Sequence, residues 1–193
     1  MSDETGMEQK VTLVTLVDNR PGVLNRIASL FRRRNFNIDS LTVGRTHRQH
    51  VSRMTIVVDA RLANVNIIAA NLRKLVNVIE VRVVSDEPHV SRDLALIKVR
   101  TDDPESRNMV TEICERYPGR IVDMGVKVAI VEVTAHEEQV EAMIEEFRPI
   151  GIVEMVRTGV VAMGRGIRIQ DTQYEPPQMR AGTRDNGVQQ NIL

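Results

Sequence analysis

Apolar positions recur along the chain with two spacings, and together they lay out a short unit twice. Val11 to Val17 is apolar and β-rich and predicts a strand. Pro21 to Asn35 predicts a helix, with Leu24, Ile27, Ala28, Leu30 and Phe31 on one face. Ile38 to Thr46 and Ser52 to Ala60 read as strands joined by the polar turn Thr46 to His50. Met54, Ile56 and Val58 alternate onto one face of the latter strand. Leu62 to Val76 reads as a second helix with Val65, Ile68, Ala69, Leu72 and Val76 as its stripe. Val78 to Ser85 closes the unit as a strand, with Ile79, Val81 and Val83 inward. The order is βαββαβ.

The second half repeats it. Asp93 to Thr101 predicts a strand. Asp103 is placed to cap a helix with Pro104 at its first position. Val110, Ile113, Cys114 and Tyr117 form that helix's apolar face. Arg120 to Met124 and Val126 to Val133 read as a hairpin turning at Gly125. Thr134 and Glu137 fit a capping box for a helix whose face is Val140, Met143, Ile144 and Phe147. Gly151 to Met163 contains the last strand. The expected fold is therefore α+β: two ferredoxin-like βαββαβ modules, each an antiparallel sheet with helices on one face. The first strand is apolar on both faces, with Val11, Leu13 and Val17 opposite Val14 and Leu16. The outer face of the first sheet thus calls for cover by the second module or by another copy.

Charge sharpens the division. The 193 residues carry 26 basic and 26 acidic side chains, which excludes a uniformly basic nucleic-acid coat. From Lys10 to Ser85, however, 13 basic residues face 4 acidic ones, and from Asp86 onward 13 face 19. The expected boundaries are a disordered N-terminus over 1–9, a first module over 10–85 and a linker over 86–92. A second module over 93–168 and a flexible tail over 169–193 complete the chain. Aromatic residues make up only 3%, with no Trp, so a base-stacking surface is not expected. A single Cys, Cys114, excludes an internal disulfide, and its place on an apolar stripe points to packing. No run approaches ~18 consecutive apolar residues, and the start of the chain has no basic-then-apolar signal region. A cytoplasmic protein with no membrane and no nucleic-acid partner is expected.

Catalytic signatures are sparse. HExxH, GxSxG, CxxC and a P-loop are missing, and Gly159 and Gly164 have P-loop-like spacing without the Lys that should follow. His47 and His50 flank a turn with no carboxylate or thiol nearby in sequence, which favours a solvated turn over a metal site. Glu137, Glu138, Glu141, Glu145 and Glu146 form the polar face of their helix. The informative stretch is Asp18-Asn19-Arg20-Pro21-Gly22-Val23-Leu24, joining the first strand to the first helix. A helix start presents unpaired backbone N–H groups and favours an anion. Gly22 permits close approach to the backbone, and Asn19 offers both a donor and an acceptor, as a zwitterion requires. Asn37 sits just before the second strand. Taken alone, the same residues also suit a plain turn, and residue chemistry leaves turn building and ligand binding equally open.

Asn19-Arg20-Pro21-Gly22-Val23-Leu24, Phe36-Asn37-Ile38-Asp39-Ser40-Leu41-Thr42-Val43 and Ser52-Arg53-Met54-Thr55-Ile56 resemble the regulatory small subunits of acetohydroxyacid synthase, also called acetolactate synthase. The resemblance continues through Lys74-Leu75-Val76, His89-Val90-Ser91-Arg92, Ile121-Val122-Asp123 and Arg157-Thr158-Gly159-Val160-Val161. The Thr46 to His50 turn departs from the family's more acidic version. The resemblance implies that the first module is an ACT domain and that the chain has no catalytic site and no cofactor of its own. It implies a catalytic large subunit as partner, carrying thiamine diphosphate, a divalent metal (Mg) and FAD. It implies activation of that subunit and feedback inhibition by a branched-chain amino acid, usually valine. Asn19, Gly22, Val23 and Leu24 would hold the effector from one protomer, and Asn37 and Ile38 from its partner across an ACT–ACT homodimer. Two other readings carry less weight: a stand-alone amino-acid sensor with another client, and an RNA-binding module of the same strand order using Arg32, Arg33, Arg34, Arg45, Arg48 and Arg53 as a phosphate patch.

Overall fold

The computed structural model describes residues 10–59, 61 and 64–166. The expected disorder of residues 1–9 and of the tail after 168 lies outside the described residues. The first module runs β1 (Lys10–Asp18), α1 (Val23–Arg33), β2 (Ser40–Arg45), β3 (Val51–Asp59), α2 (Val65–Arg73) and β4 (Val78–Val83). The second runs β5 (His89–Arg100), α3 (Pro104–Arg116), β6 (Gly119–Met124), β7 (Val128–Ala135), α4 (Glu137–Phe147), β8 (Ile152–Arg157) and β9 (Val161–Gly164). Both sheets are antiparallel, ordered β2-β3-β1-β4 and β6-β7-β5-β8, with β9 against β5. The structure thus has the expected α+β, ferredoxin-like architecture twice over.

Local chemistry accounts for most boundaries. The Asn64 side chain accepts from the N–H groups of Asn66 and Ile67 and starts α2. Asp103 caps α3 with Pro104 at its first position, as the sequence predicts, and Ser106 completes a reciprocal capping box that the sequence reading does not name. α1 ends with Arg32 and Arg33 in its last turn, and Asn35 then takes a left-handed φ of 54°. α4 departs from expectation. Its cap position is His136, which makes no side-chain cap bond, and Thr134 belongs to β7. Glu137 and Glu138 in its first turn complement the helix dipole instead.

Each sheet buries one face under its helices. Leu13, Val17, Met54, Ile56 and Val81 pack against Ile27, Leu30, Phe31, Ile68 and Leu72 in the first module. Ala95, Ile97, Val99, Val131 and Val133 pack against Val110, Ile113, Val140, Met143, Ile144 and Phe147 in the second. Cys114 is half-buried against this second core, and burial pushes its thiol pKa up, as for a packing thiol.

The cover on the first sheet comes from the far end of the chain. Residues 151–163 are not one strand: β8 ends at Arg157, and the chain turns through Thr158, Gly159 and Val160 into β9. There Val160 and Ala162 join Val14, Val57 and Val84 in a third buried cluster. The same strand pairs with His89–Arg92, so residues expected as linker are the first third of β5. A register shift in β1–β4 pairing, between Leu16 and Val17, turns Val78 rather than Ile79 into the core.

Candidate functional site

The β1–α1 loop is held from below and open above. The Asp18 N–H donates to Asn77 O at 2.9 Å, and Asn77 Nδ2 returns a bond to Asp18 Oδ2 at 3.0 Å. Arg26 Nη1 donates to Asn77 Oδ1 at 2.5 Å, tying α1 to the same bracket. The Asn19 N–H donates to His50 O at 2.7 Å, so the loop also leans on the β2–β3 turn. Sequence reasoning misses Asn77 and Arg26 because 59 residues separate Asp18 from Asn77.

At the top of this bracket, Gly22 is the N-cap of α1 with φ 84°, and no side chain caps the helix. A β-carbon built on Gly22 would meet nothing within 4 Å. The Val23 N–H donates to Arg20 O at 3.4 Å, and the positive end of the helix dipole lies behind this open, side-chain-uncapped start. Asn19 and Leu24 are exposed, whereas Val23 is buried and anchors the turn in the core.

Asn37 and Ile38 are not brought to this loop within one protomer. Asn37 is exposed and Ile38 packs at the edge of the first core. They precede Ser40, which pairs with Val57, itself opposite Thr12 near the start of β1. Asn19 follows the other end of β1. From Thr12 to Asp18 is six residues, or ~20 Å of strand. The two halves of the expected site lie at opposite ends of one sheet. β2 is, however, an edge strand. A second copy paired antiparallel along β2 would carry its Asn37 and Ile38 to the end where the first copy holds Asn19 and Gly22.

A second cluster lies between the modules. Lys10 Nζ contacts Glu137 Oε1 at 2.8 Å and Asp39 Oδ2 at 3.2 Å. The Glu137 hydrogen bond, with Asp39 adding to it, lifts the Lys10 pKa well above the ordinary lysine value. Arg157 reaches the buried carboxylate of Asp93 at 2.5 Å and Glu141 at 2.8 Å. These residues line a concavity of about 360 Å³. Each of the four carboxylates pairs with Lys10 or Arg157, and the Lys10–Glu137 pair joins the two modules. Beside it, Thr42 Oγ1 donates to Thr158 O at 2.9 Å, and the Val160 N–H donates to Ser40 Oγ at 3.2 Å. Edge strand β2 is therefore clamped to the β8–β9 turn.

Among the described residues no group of three or more His, Cys, Asp or Glu is placed to hold a metal ion. Among the described residues no helix is long and apolar enough to cross a membrane. The basic residues do not form one surface: Arg32 and Arg33 lie at the far end of α1, while Arg45, Arg48 and Arg53 line a concavity shared with Met163 of β9. The outer face of β1 and β3, where an RNA-binding module would stack bases, is covered by β9 around Val14 and Val57 and carries no aromatic side chain on either strand.

Comparison with known proteins agrees with this architecture. Residues 13–80 match the family described as the AHAS small subunit-like ACT domain, and residues 92–166 match that described as the small subunit of acetolactate synthase. A probable acetolactate synthase small subunit of Archaeoglobus fulgidus is 47% identical over 157 residues, covering 81% of this chain and 98% of that protein. The acetolactate synthase small subunit of Aquifex aeolicus is 41% identical over 170 residues, covering 88% of each. The crystal structure of the acetolactate synthase small subunit from Thermotoga maritima superposes with a TM-score of 0.73 at 36% identity, over 83% of this chain and 99% of that one. With one module matched as an ACT domain and the other as the family's own second domain, the chain belongs to the acetolactate synthase small-subunit family.

Proposed function

We propose that the protein is the non-catalytic regulatory subunit of acetolactate synthase, raising the activity of a catalytic large subunit and conferring feedback inhibition by valine. In this reading thiamine diphosphate, Mg and FAD belong to the large subunit. The observation that carries the effector site is the uncapped start of α1 at Gly22, open to solvent and braced through Asp18, Asn77 and Arg26. The valine carboxylate meets the start of α1, Asn19 meets the ammonium and Leu24 flanks the side chain, while Val23, its side chain buried in the core, serves through its backbone. Asn37 and Ile38 of a second copy close the site across paired β2 edges. An effector held by two protomers fixes their relative orientation, and whatever the catalytic subunit prefers is coupled to it, typically by ~1–3 kcal/mol.

Calorimetric titration of the chain with valine, leucine and isoleucine, alone and reconstituted with the large subunit, tests this. Saturable binding of one branched-chain amino acid, lost in Asn19→Ala and Gly22→Asp, is expected. Valine inhibition of the reconstituted enzyme that survives Gly22→Asp would remove the site from this loop.

A further inference from the structure

The part of the first sheet that β9 leaves uncovered forms a concavity of about 360 Å³, on the face opposite the helices. Leu16, Val51 and Met163 give it apolar walls, and Arg45, Arg48 and Arg53 line the rest with Thr46 and His47. No carboxylate lines it. Among the described residues none of the three arginines is ion-paired. Arg53 is half-buried and gives one N–H to Ala162 O, while Glu80 acts on it only through space and Arg82 opposes it. The turn that carries Arg48 is already set: Thr46 Oγ1 donates to Val51 O at 3.0 Å and accepts from the Arg48 N–H at 3.1 Å.

Three cationic side chains along one recess whose lining holds no carboxylate raise the local positive potential, and a bound anion relieves it. A carboxylate offers two oxygens and one charge. A phosphate monoester offers three oxygens and nearly two charges, which matches several guanidinium forks better. The volume lies in the range of small-molecule sites, ~300–1,000 Å³. The apolar walls ask for more than a bare ion. We propose that this recess binds a small organic phosphate, its phosphoryl group on Arg45, Arg48 and Arg53 and its apolar body against Leu16, Val51 and Met163. The proposal stands apart from the effector reading, since neither Asn19 nor Gly22 lines the recess.

Titration of the full chain at fixed ionic strength with phenyl phosphate, inorganic phosphate and benzoate separates headgroup from body. Phenyl phosphate is expected to saturate one site per chain at least ~10-fold more tightly than either of the others. Arg48→Ala and Met163→Glu should each weaken it by ~10-fold or more, with circular dichroism confirming the fold. Arg33→Ala, on the far end of α1, should leave it unchanged. Equal affinity for all three anions, an equal loss in Arg33→Ala, tighter binding of benzoate, or no saturable binding would each overturn the proposal.

Discussion

The Thr15 hydroxyl is fully buried and has no hydrogen-bond partner among the described residues. Its neighbours across the sheet are Met54 and Val81, both core residues. Thr15→Val keeps the shape and removes a stranded polar group, so it should raise stability by ~1 kcal/mol in urea unfolding. A loss instead would mean that the hydroxyl has a partner in solution. Gly22 poses the opposite case, a residue whose freedom is used. At φ 84° with open space around it, aspartate fits at a backbone cost of ~1 kcal/mol, since Asp and Asn tolerate the left-handed region best. Gly22→Asp should therefore melt within a few degrees of the parent while losing valine binding. That contrast separates a lost site from a lost fold. Gly22 is legible in the sequence because Pro21-Gly22 announces a turn into a helix. Its open surroundings, and the bracing by Asn77, depend on contacts made far along the chain.

At the scale of elements, strands and helices were readable wherever apolar spacing changed from two to three and four. The α3 cap is local chemistry, and Asp103, Pro104 and Ser106 carry it within four residues. The break between β8 and β9 is not local. Residues 151–163 are apolar apart from Glu154, Arg157 and Thr158, and the local sign of a turn is the short polar break Arg157-Thr158 before Gly159. What forces the turn is tertiary: Gly159 takes φ 76° and passes so close to Ser40 that a methyl group there would overlap Ser40 Oγ. Gly159→Ala should cost on the order of 1–2 kcal/mol from the left-handed backbone alone, with more from the overlap. The same change in a Ser40→Gly background should cost less, and thermal unfolding of the four proteins reads the difference. The proposed effector site divides in the same way: its loop is contiguous in sequence, whereas Asn37 and Ile38 lie at the other end of the sheet and would join it only across the proposed pairing of two copies.

For the whole molecule, the opposite charges of the modules meet in Lys10 and Glu137, while the apolar join is made by Val160 and Ala162 on Val14 and Val57. A chain ending at Arg157 keeps both helix-covered cores but bares Val14 and Val57. It should bind the dye ANS and self-associate where the full chain does not, as sizing chromatography would show. The order of the strands adds a consequence for synthesis. β4 is complete at Val83, and the strand that seals the first sheet ends at Gly164, 81 residues later. At ~5–20 residues per second, the ribosome takes roughly 4–16 s to cover that distance. For those seconds the first module has emerged with all its own strands and one face bare. A neighbouring nascent chain on the same message meets that face before its own β9 does.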